Sequence, residues 1–156
     1  MKGNSKVLAV LNDLLADELT AINQYVVHGE MAENWGYGKL KKLVGGRAIT
    51  EMKHAEKLIE RILFLEGTPI VSNLNKIRIG ADILKQFAND LDAEMTAVKN
   101  YNAAIKVAMD AGDNATKEIL EAILKDEDGH VNQIEEKLDQ IEQMGVQNFL
   151  AIQAGE

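Results

Sequence analysis

The sequence predicts an all-α protein: a four-helix bundle with one long crossover between the second and third helices, followed by a short C-terminal helix. Three observations support this prediction. Long segments free of Pro and poor in Gly lie between short turns, and each of these segments carries an apolar stripe with helical spacing. About 15 residues separate the second segment from the third, which is long for a simple loop.

The first two helices are bounded by glycine-containing turns. We expect the first helix over residues 5–34, where it meets the turn Trp35-Gly36-Tyr37-Gly38. The second is expected over residues 39–66, where Gly67-Thr68-Pro69 stops it. The short turn between them makes the two helices antiparallel neighbours.

The second half of the chain repeats this arrangement. Asp82 is a candidate N-cap for the third helix, which ends at Gly112. The fourth helix is expected over residues 114–144, and an amphipathic tail at residues 146–154 predicts the short final helix. Each long helix needs partners to bury its apolar stripe, and four such helices form a bundle.

The crossover decides the topology. A helix of about 28 residues is about 42 Å long, and the 15 residues of segment 67–81 reach about 50 Å when extended. This segment can therefore run the length of the bundle and return the chain to the end from which the second helix started. One long crossover in an otherwise antiparallel bundle is the ferritin-like topology.

Composition limits the function. The chain has 156 residues, 46% of them hydrophobic and 27% charged, and we interpret residues 1–156 as a single domain. It has no cysteine, which excludes disulfides, zinc ribbons and iron–sulfur clusters. A net charge of −8 argues against a nucleic-acid partner. We find neither a long enough apolar run for a membrane span nor a signal peptide, so we expect a cytoplasmic protein.

Six polar residues interrupt the apolar stripes. Helices one and three contribute one Glu each, and helices two and four contribute one Glu-x-x-His pair each. The six residues are Glu18, Glu51, His54, Glu94, Glu127 and His130. Buried carboxylates without partners are costly, and residues at i and i+3 share one helix face. Two lone Glu and two Glu-x-x-His pairs are the published pattern of di-iron carboxylate bundles, so we predict a site for two metal ions.

Charge and ligand chemistry agree with a two-metal site. Four carboxylates carry −4, which two divalent ions neutralise. Oxygen-rich ligation with one imidazole per ion suits iron or manganese, with zinc as a competitor. Metal binding should also add to the stability of the bundle.

Four further residues carry expectations of their own. Arg47 falls on its stripe near a helix end, so we expect its side chain to reach water. His28 has no metal-binding partners in the sequence, and we interpret it as a surface residue. Tyr25 lies on the same stripe as Glu18, where it can donate a hydrogen bond to a carboxylate, donate an electron or simply fill the core. Met52 is rotated about 100° from Glu51 and so faces outward.

The sequence resembles the bacterioferritins over nearly its whole length. The resemblance rests on residues 1–3, 21–25, 51–55 and 60–67, together with Asp126-Glu127 and Gly129-His130. It implies a ferroxidase centre with two iron ions per subunit, using O2 or H2O2. In that centre Glu18 and His54 hold one iron, Glu94 and His130 hold the other, and Glu51 and Glu127 bridge them.

The resemblance also implies an assembly and a haem. Bacterioferritins form a 24-subunit shell, built from dimers, that stores ferric mineral. A haem b lies at the two-fold interface, with Met52 as its axial ligand from each subunit and with Ile22, Asn23, Val26 and Lys53 around it. A small redox partner would release iron through the haem.

Three other functions share parts of this pattern. A di-iron oxidase or peroxidase without storage would use the same six ligands, although the rubrerythrin type requires a cysteine-bound iron. A haem-free ferritin would carry Met52 without using it. A bundle that binds metal only for structure would have the six ligands and no activity.

Overall fold

The computed structural model describes residues 1–155. It contains five helices: α1 (Ser5–Asn34), α2 (Gly38–Phe64), α3 (Ile83–Asp110), α4 (Asn114–Met144) and α5 (Val146–Gln153). Within residues 1–155 no β-strand forms, and the one isolated bridge joins Tyr37 to Gly155. The predicted all-α bundle with a short C-terminal helix is confirmed.

Local chemistry sets the helix ends. The side chains of Asn4, Asp82 and Asp113 accept hydrogen bonds from backbone N–H groups in the first turns of α1, α3 and α4. The N-cap predicted at Asp82 is therefore confirmed. The second helix ends at Phe64 rather than residue 66, because Glu66 adopts a left-handed φ of 62° and the Gly67 N–H bonds back to Ile62.

The crossover lies along α1. Asn12 accepts a hydrogen bond from the Ile70 N–H at 2.9 Å. Farther along the helix, Thr20 Oγ1 accepts from the Asn75 N–H at 2.8 Å, and Gln24 Oε1 accepts from the Arg78 N–H at 3.1 Å. These acceptors lie on one face of α1, and they satisfy the backbone of a segment that has no secondary structure of its own. The segment therefore crosses the length of the bundle, as the predicted topology requires.

The apolar core is divided into two main parts. The larger cluster includes Leu11, Leu15, Leu58, Ile62 and Leu120. The second lies toward the other end of the bundle, where α5 adds Phe149 to residues of α2, α3 and α4. Between these two clusters lies a band of buried polar side chains. Among residues 1–155, no helix is both long enough and apolar enough to cross a bilayer.

Candidate metal centre

All six residues that interrupt the apolar stripes meet in the middle of the bundle. The four glutamates and His54 are buried, and the side chain of His130 is 13% exposed. One ligand comes from each of α1 and α3, and two come from each of α2 and α4. The structure thus places the predicted side chains together at a single level of the bundle.

The six residues form two overlapping groups of four. Glu18, Glu51, His54 and Glu127 form the first, and Glu51, Glu94, Glu127 and His130 form the second. Within each group one ligand atom per residue lies within 4.8 Å of all the others. Since Glu51 and Glu127 belong to both groups, they are placed to bridge two ions.

The histidine rings present Nδ1 to this cluster. His54 Nδ1 lies 3.0 Å from Glu127 Oε1 and 3.7 Å from Glu18 Oε2. His130 Nδ1 lies 3.1 Å from Glu51 Oε1 and 3.4 Å from Glu94 Oε1. The same nitrogen of both rings therefore faces the carboxylates, one ring in each group.

Many of these ligand atoms are buried without a hydrogen-bond partner of good geometry. Each of the six residues has one such atom, and among the described residues only Arg47 Nη2 shares this condition. Unpartnered buried polar atoms are rare and costly in folded proteins. Their concentration here, on carboxylate oxygens and imidazole nitrogens, fits a donor set for cations.

His54 has a second partner outside the cluster. Its Nε2 lies 2.8 Å from Asp126 Oδ2, a carboxylate whose side chain is 55% exposed. Metal-binding histidines commonly donate their other ring N–H to a carboxylate, which fixes the tautomer and leaves the remaining nitrogen free for the ion. Asp126 therefore orients His54. The sequence pattern did not indicate this role, because Asp126 lies off the apolar stripe.

Two tyrosines hydrogen-bond to Glu18 and Glu94, the outer carboxylates, each of which belongs to only one of the two groups. The Tyr101 hydroxyl donates to Glu18 Oε1 at 2.6 Å, and the Tyr25 hydroxyl donates to Glu94 Oε1. The exchange is reciprocal, since α1 carries Glu18 and Tyr25 while α3 carries Glu94 and Tyr101. The prediction that Tyr25 can hydrogen-bond a carboxylate is confirmed.

The role of Tyr101 as a hydrogen-bond donor to the cluster was not predicted, although the sequence contains a signal for it. Both tyrosines follow their glutamate by seven residues. Glu94, Tyr101, Glu127 and His130 each follow their counterparts Glu18, Tyr25, Glu51 and His54 by 76 residues. This constant offset identifies Tyr101 as the counterpart of Tyr25.

Burial and mutual repulsion redistribute the protons of the cluster. Burial raises the pKa of Glu127 to about 8, and the charges of Glu18 and Glu94 add to this effect. Burial alone would lower the pKa of His54, but the carboxylates of Glu127 and Glu18 outweigh it and raise that pKa to about 10. At neutral pH the cluster therefore holds protons that divalent cations must displace.

A second polar layer lies next to the cluster, one helical turn away on α2 and α3. Its centre is Asp90, which accepts hydrogen bonds from Gln24 Nε2 at 2.8 Å and from Arg47 Nη1 at 3.5 Å. His28 Nε2 accepts from the Gly80 N–H at 3.0 Å, so its Nδ1 carries the proton and donates to Asp90 Oδ1 at 2.9 Å.

This layer corrects two predictions. His28 is buried, not on the surface, because Asp90 and the crossover backbone satisfy both ring nitrogens. Arg47 is also buried and does not reach water. Its Nε donates to Gln133 at 3.0 Å, and its guanidinium lies over the Tyr25 ring, 5.0 Å from the centroid.

Comparison with known proteins agrees with this geometry. The ferritin-like domain profile matches residues 8–144. The bacterioferritin of Rhodobacter capsulatus is 41% identical over 154 residues, covering 99% of this chain and 96% of the relative. The chain belongs to the bacterioferritin family. The bacterioferritins of Brucella melitensis biotype 1 and Streptomyces coelicolor are 37% and 36% identical and cover 96% and 97% of this chain, at 92% and 90% of their own lengths.

Met52 lies apart from the carboxylate–histidine cluster of this bacterioferritin. It is 46% exposed on α2, as its rotation from Glu51 predicts. Ile49 on the same helix and Val26 on α1 are also large apolar residues that are about half exposed. Of the residues expected around a haem, Asn23 and Lys53 are exposed and Ile22 is partly buried. The thioether therefore lies on an exposed face that contains other apolar side chains.

Proposed function

We propose that this member of the bacterioferritin family stores iron and oxidises it as it does so. Its substrate is Fe(II), its oxidant is O2 or H2O2, and its product is ferric mineral held inside a shell of 24 subunits. One observation carries the ferroxidase proposal: two four-residue metal-binding groups share Glu51 and Glu127 in the buried centre of the bundle. Family membership supports storage.

The proposed ligand assignment follows the two groups. Glu18 and His54 hold one Fe(II), Glu94 and His130 hold the other, and Glu51 and Glu127 bridge the pair. The unpartnered atoms on all six side chains support this assignment. Two divalent ions would also neutralise four carboxylates that otherwise repel one another at close range.

The chain's own residues position the substrate and handle its protons. Each Fe(II) supplies one electron, so a pair reduces O2 to H2O2, or H2O2 to two water molecules, with two protons consumed in either case. The bridging carboxylates hold both ions near one oxidant. Tyr25 and Tyr101 hold Glu94 and Glu18 in place, and Asp126 bonds His54 Nε2, so that Nδ1 is the nitrogen that gives up its proton to an arriving ion.

We further propose that Met52 would hold a haem b, shared between two subunits, through its thioether sulfur. The residues fit this group, because a methionine thioether suits haem iron and Ile49, three residues earlier on α2, exposes apolar surface beside it; Val26 on α1 is exposed as well. The haem would supply electrons from a small redox partner when stored iron is released. The proposed compartment is the cytoplasm, where reduced iron is available.

An aerobic Fe(II) titration tests the proposal. The purified protein is titrated and followed optically, and the iron that stays soluble is counted per subunit. Uptake far beyond two ions per subunit is expected. Saturation near two ions would instead indicate a di-iron oxidase without storage, and no oxidation above buffer would leave a structural metal-binding bundle.

Replacement of a bridging ligand tests the centre itself. Glu127→Ala should abolish rapid Fe(II) oxidation, because it removes a ligand from both ions. Glu121→Ala on the same helix is the control, since Glu121 lies outside both groups and its side chain is 52% exposed. Oxidation by Glu127→Ala at the control rate would refute the assignment.

The haem proposal has its own test. Met52→Ala should lose the Soret band when the protein is reconstituted with haem, while Fe(II) oxidation continues. The control is Met95→Ala on α3, where the methionine is 54% exposed against 46% for Met52; this variant should keep the band. A Soret band that persists in Met52→Ala would show that the axial ligand is another residue.

A further inference from the structure

Two cavities lie on the side of the bundle where α1, α3 and the crossover meet. The inner chamber has a volume of about 490 Å³, and its lining includes Glu18, Glu51, Glu94 and Glu127. The outer groove has a volume of about 910 Å³ and is lined by α1, α3 and the crossover. The inner chamber gives a substrate direct access to the carboxylates of the proposed metal centre.

The same three residues line both cavities: Asp17, Asn75 and Asn100. They are hydrogen-bonded to one another. Asn75 Nδ2 on the crossover donates to Asp17 Oδ1 at 2.5 Å, and Asn100 Nδ2 on α3 donates to Asp17 Oδ2 at 2.8 Å. These three side chains form a partition between the groove and the chamber.

The backbone around the partition is held by hydrogen bonds to α1. The side chains of the partition are held only by hydrogen bonds to one another. Thr20 Oγ1 binds the Asn75 N–H, and Gln24 Oε1 binds the Arg78 N–H, so the crossover is held to α1 on this side. The partition is held by side-chain hydrogen bonds from two amides to one carboxylate, with no cation paired to Asp17 among them. The side chains of the partition can therefore open without moving the crossover.

Charge distinguishes the groove from the other side of the chamber. The groove carries Asp13 in addition to Asp17, and no basic residue is among its described lining. The part of the chamber lining contributed by the crossover carries Lys76 and Arg78, both exposed. Arg78 is paired with Asp92, so the positive charge on that side is mainly that of Lys76. A cation is drawn to the acidic groove in preference to this side, because clefts lined by one sign of charge concentrate the opposite ion.

We propose that divalent cations reach the carboxylate centre through this groove, and that the Asp17–Asn75–Asn100 partition is the gate, with Asp17 as the residue that passes the ion inward. This inference rests on the proposed function, since it assumes that the centre binds Fe(II). Asp17 is a positioning residue for the arriving ion. Asp17 and Glu18 both line the inner chamber, so an ion leaving the Asp17 carboxylate enters the space that contains the first ligand of the centre.

Stopped-flow binding of Co(II), followed by its visible absorption, tests the gate in the whole protein. Asp17→Asn should lower the association rate about tenfold, in line with the effect of charge steering on association rates. The final absorption per subunit should equal that of the wild type, because the six ligands are intact. The wild-type rate should fall as salt is added, and the rate of Asp17→Asn should fall less.

Two further variants complete the test. Asp139→Asn removes the same charge from an exposed position on α4, away from both cavities, and should behave as the wild type. Asn75→Phe fills the partition without changing its charge and should slow association while keeping the wild-type salt dependence.

The outcomes separate this proposal from the proposed function. Wild-type association rates and salt dependence in Asp17→Asn would overturn the gate. A lower final absorption in Asp17→Asn would also overturn it, because Asp17 would then belong to the metal site itself. Failure of the proposed function would show separately, as normal Co(II) binding and Fe(II) oxidation in Glu127→Ala.

Discussion

The two layers that flank the carboxylate–histidine cluster differ in kind. On one side lies the larger apolar cluster, which includes Leu15, Leu58 and Ile123. On the other lies the buried ion pair of Arg47 and Asp90, with His28 and Gln24 bonded to the same carboxylate. The apolar layer needs only a good fit, whereas the ionic layer is stable only when every partner is present.

The two tyrosines show this difference at equivalent positions. Each donates to a carboxylate of the opposite helix, yet Tyr101 belongs to the larger apolar cluster. Tyr25 belongs to a small cluster with Val44 and Ala48, and its ring also lies beneath the Arg47 guanidinium. The hydroxyl contacts are matched and the ring environments are not. One half of the centre therefore depends on packing, whereas the other depends on charge as well.

Breaking the ionic layer should have the largest effect. Asp90→Leu leaves the Arg47 guanidinium buried without its carboxylate, and the free energy of unfolding should fall by about 3–5 kcal/mol. Chemical denaturation measures the change. The double variant Arg47→Leu/Asp90→Leu should recover part of the loss, because the unpaired guanidinium is removed while the His28 and Gln24 donors still lack their acceptor. A double variant as unstable as the single one would contradict the stated cause.

A substitution in the apolar layer should also lower the free energy of unfolding, but no second substitution is expected to recover the loss. Leu58→Ala should lower the free energy of unfolding by about 2–5 kcal/mol, because it leaves a cavity in a close-packed cluster. Co(II) binding per subunit should stay at the wild-type level, since no ligand or hydrogen-bond donor of the centre is removed. A loss of Co(II) binding would show that this layer also sets the ligand geometry.

Substitutions of the two tyrosines test the difference between the apolar and the ionic layer. Tyr25→Phe and Tyr101→Phe should each lower the free energy of unfolding of chelator-treated protein by about 1.5–3 kcal/mol, because each removes a hydrogen bond to a carboxylate. Tyr25→Leu should cost about 0.5–2 kcal/mol beyond Tyr25→Phe through loss of the ring under Arg47. The same additional cost in Tyr101→Leu would remove the distinction between the two rings.

Removal of the charge from a more accessible Arg–Asp pair should have the smallest effect on the free energy of unfolding. Arg61 Nη2 donates to Asp113 Oδ1 at 3.1 Å near the start of α4, where the two side chains are 12% and 15% exposed. Burial raises the pKa of Asp113, but hydrogen bonds from Thr116 and the charge of Arg61 outweigh it and hold that pKa below its usual value. The ionised Asp113 therefore stabilises the folded state.

Asp113→Asn keeps a capping oxygen and removes this charge, so at pH 7 it should be less stable by about 0.5–1 kcal/mol. The wild-type advantage is complete above the usual carboxyl pKa and disappears as the pH falls through the lowered pKa of the folded state. Denaturation of both proteins across this acidic range measures the difference. A difference that grows as the pH falls would contradict the sign.

The helices and the six cluster residues could be predicted because their signals are local. Gly and Pro mark the turns, and Glu-x-x-His places two ligands on one helix face. His28 and Arg47 were assigned wrongly because the partner that buries both, Asp90, lies 62 and 43 residues away in sequence. Asp126 lies off the stripe, and its role depends on a ring 72 residues away.

The constant offset of 76 residues divides the molecule into two equivalent halves. The chain consists of two helical hairpins that carry the same set of Glu, Tyr, Glu and His in the same register. Each hairpin contributes one tyrosine hydroxyl to the other and one carboxylate that belongs to both groups, so neither hairpin contains a complete group of four. The centre therefore lies on the boundary between the two hairpins. Two bound metal ions would hold these two halves of the molecule together.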